Sequence, residues 1–237
     1  MEINIEYRPV NSLAQVRLEP NEQFIAEPGA MVGMTTNVNM ETGMGGSQKD
    51  GGGGLLSKVA GAASRMLTGE SFFQNTYTAQ GGPGEVLLSH TLTGDMFMTE
   101  VPDQGLMLQS KSFIASSPGV NLESKLGGFK SFFAGEGIFV IQVSATQPGQ
   151  KLLGGAFGGI QQMQVDGSLV IDTGHLVAWD ANLTYNTERT AGGFIGSILS
   201  GEGRVCHFQG QGRVWIQTRD PVGYGQTMGR MLPPRQN

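Results

Sequence analysis

Ser64-Arg65-Met66-Leu67-Thr68-Gly69-Glu70 returns as Lys130-Ser131-Phe132-Phe133-Ala134-Gly135-Glu136, and again as Gly196-Ser197-Ile198-Leu199-Ser200-Gly201-Glu202. The three Gly-Glu pairs are separated by a constant step of 66 residues, and Gly61, Gly127 and Gly193 keep the same period. In each copy a short apolar run and a small residue lead through Gly-Glu into a strand-like stretch. Self-similarity at a fixed period marks a repeated structural unit and outranks local propensity as a guide to fold. Three copies predict an all-β chain of three homologous units, a scaffold before a single asymmetric active site.

The repeat extends on both sides of these pairs. Upstream, Gln23-Phe24-Ile25-Ala26 corresponds to Gly105-Leu106-Met107-Leu108 and to Ser168-Leu169-Val170-Ile171. A small apolar strand follows in each copy: Ala30-Met31-Val32, Phe113-Ile114-Ala115 and Leu176-Val177-Ala178. Pro28-Gly29, Lys111-Ser112 and Thr173-Gly174 lie between as turn chemistry. Downstream come Phe72 to Tyr77, Ile138 to Val143 and Val205 to Phe208, then Pro83-Gly84-Glu85-Val86, Pro148-Gly149-Gln150-Lys151 and Gly212-Arg213-Val214. Several runs are apolar throughout, as strands covered on both faces are.

These correspondences divide one continuous globular unit into 1–100, 101–164 and 165–219, with 220–237 as a Gly- and Pro-rich, loosely held tail. The first copy is the long one. From Val32 to Gly69 is 37 residues, against 21 from Ile114 to Gly135 and 24 from Val177 to Gly201. The excess holds the coil-forming run Gly43 to Gly54 and then an apolar segment at helical spacing, which predicts one short helix over 55–67.

Composition supports strands joined by tight turns. The chain has 38 glycines in 237 residues, only 15% charged residues and a net charge of −5. An acidic chain without a Lys/Arg cluster lacks the electrostatic footprint of a general nucleic-acid binder. The lone Cys206 permits no intrachain disulfide and reads as a buried, inert thiol. The acidic N-terminus reads as neither a signal nor a transit peptide, and no apolar run reaches membrane-spanning length, so a soluble, cytoplasmic protein is expected.

No catalytic, cofactor-binding or metal-binding residue is expected. His90, His175 and His207 occupy unrelated repeat positions and form no local ligand pair. Neither Gly45 to Lys49 nor Gly154 to Gly159 completes a nucleotide-binding motif, and no nucleophile elbow occurs. Glu70, Glu136 and Glu202 are the repeated ionisable residues. Converging, they would make an acid–base site by raising one another's pKa. With Gly69, Gly135 and Gly201 they are read instead as turn residues, the glycine taking positive φ and the glutamate accepting backbone N–H bonds. Leu55, Leu56, Val59, Met66 and Leu67 on the helix, with Phe132, Phe133, Ile198 and Leu199 in the other copies, are candidate interface residues.

Glu27-Pro28-Gly29-Ala30-Met31-Val32, the Gly-rich insert, Leu67-Thr68-Gly69-Glu70-Ser71-Phe72-Phe73, Phe133-Ala134-Gly135-Glu136-Gly137 and Leu199-Ser200-Gly201-Glu202-Gly203, in this order, resemble the altered inheritance of mitochondria protein 24 family over almost the whole chain. The resemblance implies a fold like the tryptophan RNA-binding attenuation protein: three tandem short β-sandwich units, a compact variant of the double-stranded β-helix. It further implies trimeric rings with pseudo-threefold repetition in each chain and no established catalytic activity. The expected function is a non-enzymatic, ring-forming scaffold or interaction protein, meeting a protein partner or a membrane surface peripherally. The alternative is a ligand- or RNA-binding module that uses clefts between repeats.

Overall fold

A computed structural model describes residues 2–44, 73–124, 139–189 and 204–233. Residues 2–44 carry β1 (Glu2–Glu6), β2 (Leu13–Leu18), β3 (Gln23–Ala26), β4 (Met31–Met34) and β5 (Val38–Met44). Residues 73–124 carry β6 (Phe73–Ala79), β7 (Gly84–Ser89), β8 (Met96–Glu100), β9 (Leu106–Gln109), β10 (Phe113–Ser116) and β11 (Val120–Ser124). Then come β12 (Val140–Ala145), β13 (Lys151–Gly155), β14 (Ile160–Asp172), β15 (Leu176–Asp180) and β16 (Thr184–Arg189). β17 (Arg204–Gln217) and the helix α1 (Pro221–Met231) complete the described chain.

The fold is all-β, as expected, with the described strands in three antiparallel sheets. The four-stranded sheet has the order β1-β2-β7-β4, and the six-stranded sheet the order β5-β6-β3-β10-β13-β8. The seven-stranded sheet runs β11-β12-β9-β15-β17-β14, with β16 also on β17. Period-two alternation decides which face packs. β2 turns Ala14, Val16 and Leu18 inward, and β7 does the same with Gly84, Val86 and Leu88. These meet Phe24 and Ala26 of β3 and Tyr77 and Ala79 of β6 in the first core. Phe24 and Tyr77 face each other across the strands, their rings stacked at 4.8 Å between centroids. A buried pair of this kind contributes about 0.5–1.5 kcal/mol beyond its area.

The second core joins the six- and seven-stranded sheets through Phe97, Phe113, Leu108, Val143, Ala178 and Trp215. In the third, Val165, Trp179, Cys206, Phe208 and Val214 all belong to the seven-stranded sheet, which therefore curls upon itself. Two long strands make that curl. β14 and β17 pair without a break over 13 positions, and Gly167 (φ 97°) faces Gly210 (φ 117°) midway. The sequence predicts separate short strands here, because Pro20, Pro83, Pro102 and Pro148 break the ladders of the first two copies. No proline occurs between Ile160 and Gln217, so nothing removes an N–H from the third ladder.

Two further expectations change. A bulge separates Met31 from Gly33, Phe113 from Ala115 and Leu176 from Ala178 in the pairing of β4, β10 and β15. It aligns Met31, not Ala30, with Phe113 and Leu176. The tail, in which no helix is expected, contains α1, and none of that helix's residues is buried. Asp220 caps it by accepting from the N–H groups of Val222 (2.9 Å) and Gly223 (2.8 Å), and Pro221 takes the first helical position. The helix expected over 55–67 lies outside the described residues.

Candidate functional site

Gly69, Glu70, Gly135, Glu136, Gly201 and Glu202 all lie outside the described residues, as do Leu55, Leu56, Val59, Met66, Leu67, Phe132, Phe133, Ile198 and Leu199. In chain order they fall between β5 and β6, β11 and β12, and β16 and β17. The described ends of these strand pairs match: Met44 faces Phe73, Ser124 faces Ile141 and Arg189 faces Arg204.

What the described strands bring together is a recurring junction. β3 pairs antiparallel with β10, setting Ala26 opposite Ala115 and Ile25 opposite Ser116. The Glu27 N–H donates to the Ile114 carbonyl at 2.8 Å and continues that ladder. β9 pairs antiparallel with β15 in the same way, setting Leu108 opposite Ala178 and Met107 opposite Trp179. In both places the strand that leads into one turn, β3 or β9, is zipped to the strand that leaves the corresponding turn further along the chain, β10 or β15. The joined residues are dry: Ala26, Leu108, Ile114, Ala115, Val177 and Ala178 have no exposed surface.

A second recurring device fixes the strand beyond each bulge. The Thr35 hydroxyl accepts from Glu85 N–H at 3.0 Å, and the Ser117 hydroxyl from Lys151 N–H at 2.9 Å. Asp180 does this as a carboxylate, accepting from Arg213 N–H at 2.8 Å. Asp180 also takes a two-pronged grip from the Arg213 guanidinium, Nη2 to Oδ1 at 2.8 Å and Nε to Oδ2 at 3.1 Å. The guanidinium lies 4.8 Å from the centre of the Trp215 ring. Buried charge needs pairing of this quality to be tolerated.

The other buried carboxylate, Asp95, anchors the N-terminal loop. It accepts from Arg8 Nε (2.8 Å) and Nη2 (3.0 Å), from the Ser12 hydroxyl (3.0 Å) and from Met96 N–H (2.8 Å). Burial pushes its pKa up, and the bonds from Arg8, Met96 and Ser12 together outweigh that, leaving it below the usual carboxylate value. Gly94 beside it has no room for a side chain, since a Cβ there would lie 2.0 Å from the Ala156 carbonyl oxygen. Both carboxylates tie strands together rather than face an open cleft.

Titratable groups elsewhere are scattered. His90 bridges the Leu92 and Lys111 carbonyls, His175 bonds the Gln217 carbonyl, and His207 pairs with Glu188 at 2.6 Å. Among the described residues no three His, Cys, Asp or Glu side chains group as a metal site. Burial pushes the Cys206 thiol up to about 12, which keeps it a thiol at neutral pH. An open cavity of about 490 Å³ lies at one end of the four-stranded sheet, lined by Glu2, Glu19, Glu22 and Glu85 with Arg17. Its acidic lining disfavours phosphate-bearing ligands.

Among the described residues, two strand edges have the form of the covered junctions without a neighbour. β4 is the last strand of the four-stranded sheet, and Val32 is 58% exposed where its counterparts Ile114 and Val177 are 0%. Met31 and Met34, beside it, are exposed as well. β14 ends the seven-stranded sheet, and its Ser168–Asp172 portion holds the place that β3 and β9 hold in the junctions. Val170 there is 53% exposed, whereas its counterpart Met107 is 7% exposed. The sequence aligned these strands but carried no sign that one copy of each would be left open.

Comparison with known proteins extends over nearly the same residues. The family model described as "Mitochondrial biogenesis AIM24" matches residues 3–219. An uncharacterised protein of Streptococcus pyogenes serotype M6 is 32% identical over 230 residues, covering 95% of this chain and 88% of that protein. The crystal structure of a Streptococcus pyogenes protein superposes with a TM-score of 0.76 at 27% identity, covering 98% of this chain and 99% of the other. Among the described residues no helix is long and apolar enough to cross a membrane. The chain belongs to the mitochondrial biogenesis AIM24 family.

Proposed function

We propose that this member of the AIM24 family is a non-enzymatic scaffold that closes into a ring of identical chains, arranged like the tryptophan RNA-binding attenuation protein. One observation carries the reading: apolar side chains that are dry in two junctions within the chain are exposed in β4 and β14, the described strands that hold the equivalent places without a neighbour. An exposed strand edge rich in Met and Val is a liability in an isolated chain, and a closed assembly removes it. Because the two edges differ, each copy offers one to its neighbour in a head-to-tail contact, which closes as a ring or continues as a filament.

Three copies of the 25.1 kDa chain have a mass of roughly 75 kDa, which light scattering reads directly. A particle of that mass across a wide concentration range is the expected result. A 25.1 kDa monomer at all concentrations overturns the reading. The alternative of a nucleic-acid module requires a basic rim, and the described cavity is lined by glutamates instead.

A further inference from the structure

Resting on that reading, we infer the strand pair and the register through which one copy of this chain holds the next: β14 of one copy, over Ser168–Asp172, adds antiparallel to the outer edge of β4 of its neighbour. The occupant of the open β4 edge is thus a second copy of the same chain.

The register follows from the two covered junctions. The ladders behind the donor strands set Asn75, Ile141 and Cys206 opposite Ala26, Leu108 and Ile171, which makes the last three equivalent. The bulges in β4, β10 and β15 make Gly33, Ala115 and Ala178 equivalent. Ala26 faces Ala115 and Leu108 faces Ala178, so Ile171 faces Gly33 of the neighbour. One step along, Ile25 faces Ser116 and Met107 faces Trp179, so Val170 faces Met34. Glu27 N–H donates to the Ile114 carbonyl, and by the same geometry Asp172 N–H donates to the Val32 carbonyl of the neighbour.

Size and chemistry agree at each step. Small residues, Ala115 and Ala178, stand at the place Gly33 takes, and Ile171 then supplies the bulk opposite it. Val170 and Met34, both exposed in the single chain, become a covered apolar cross-strand pair. No carboxylate, lysine or arginine stands among Met31–Met34 or at Val170 and Ile171 to oppose the pairing. β4 also lacks the edge charge or proline by which a strand meant to stay solvated is protected.

The pairing is tested by cross-linking two separately made variants, Gly33→Cys and Ile171→Cys, mixed and gently oxidised. Glu27 and Ile114 form a hydrogen-bonded pair, so the next pair, Ala26 with Ala115, is of the closely approaching kind, as is Ile171 with Gly33. Such pairs have Cα atoms about 4.5 Å apart, within reach of a disulfide. Space is open around the Cβ position of Gly33. Both variants carry Cys206→Ser as well, because Cys206 stands opposite Ile171 in the β14–β17 ladder and would otherwise capture the new thiol. The expected result is a covalent dimer on a non-reducing gel from the mixture and none from either variant alone. Light scattering on the same mixture separates the failures. An intact assembly without covalent dimer overturns this register and leaves the ring standing, whereas wild-type 25.1 kDa monomers overturn the ring itself. Should Gly33→Cys not fold, Met34→Cys with Val170→Cys probes the adjacent pair, whose spacing of about 5.5 Å also admits a disulfide.

Discussion

Val177 and Val32 are the same residue type at equivalent places in two units, one with no exposed surface and the other 58% exposed. β15, which holds Val177, is covered by β9, whereas β4, which holds Val32, has β7 on one side and an open edge on the other. The contrast shows that burial here belongs to the neighbour and not to the side chain. It also separates two duties within one motif: the covered junctions hold the chain together, and the open edges are the ones proposed above to hold chains to each other.

The largest expected effect breaks that contrast with one substitution made twice. Val177→Asp puts a carboxylate where nothing can solvate it, costing about 4 kcal/mol and lowering the melting temperature on the order of 10 °C. Val32→Asp leaves the chain's own fold within about 0.5 kcal/mol and reduces the assembly to single chains. Circular dichroism melts with light scattering check both. Equal destabilisation by the two substitutions breaks the comparison.

A graded series sharpens it at the strand anchors. Asp180→Ala strands the Arg213 guanidinium and is expected to cost about 3–5 kcal/mol. Ser117→Ala and Thr35→Ala each remove one neutral hydrogen bond, for about 1 kcal/mol. Denaturant midpoints order the three. A loss at Thr35 equal to that at Asp180 means the first unit depends on its anchor as heavily as the third.

The smallest effect is one of pH. Glu27 stands where β3 meets β10, and burial pushes its pKa up to about 7 from 4.5. The folded chain therefore holds this proton more tightly than the unfolded chain between those values, and stability falls as pH rises through the window. Glu27→Gln, which copies Gln109 of the second junction, removes that slope. Glu27 is only partly buried, so solvent screening reduces the full effect, and the variant is expected to melt roughly 2–4 °C above the wild type at pH 8, with the gap closing by pH 5. A gap that does not change with pH refutes this assignment.

Much of the fold is legible in the sequence alone. The strand core at Phe24-Ile25-Ala26, the pairing turns at Pro83-Gly84 and Pro148-Gly149, and the inert Cys206 all follow from local pattern. Pro and Gly punctuate strands through their own backbones, and a buried thiol needs no partner. The bulge that shifts Met31 into line with Phe113 was not legible, because an extra residue in a strand is defined by the strand opposite. Nor was α1, whose glycines at 223, 225 and 229 hide it from helix propensity while the Asp220 cap and Pro221 start it. The Gly-Glu pairs that revealed the repeat lie outside the described residues, so the sequence step and the strand geometry speak to different parts of the unit.

By itself the sequence determined the strand content, the places where ladders are cut and the recurrence of one motif, since each depends on residues near in the chain. Only the tertiary structure decided which copies of that motif are joined and which stand open. β3 meets β10 across some 90 residues, and the backbone groups of β4 and β14 are the same as those of their covered counterparts. A strand becomes an edge by what lies beside it, and that neighbour is chosen by long-range pairing, not by the strand's own residues.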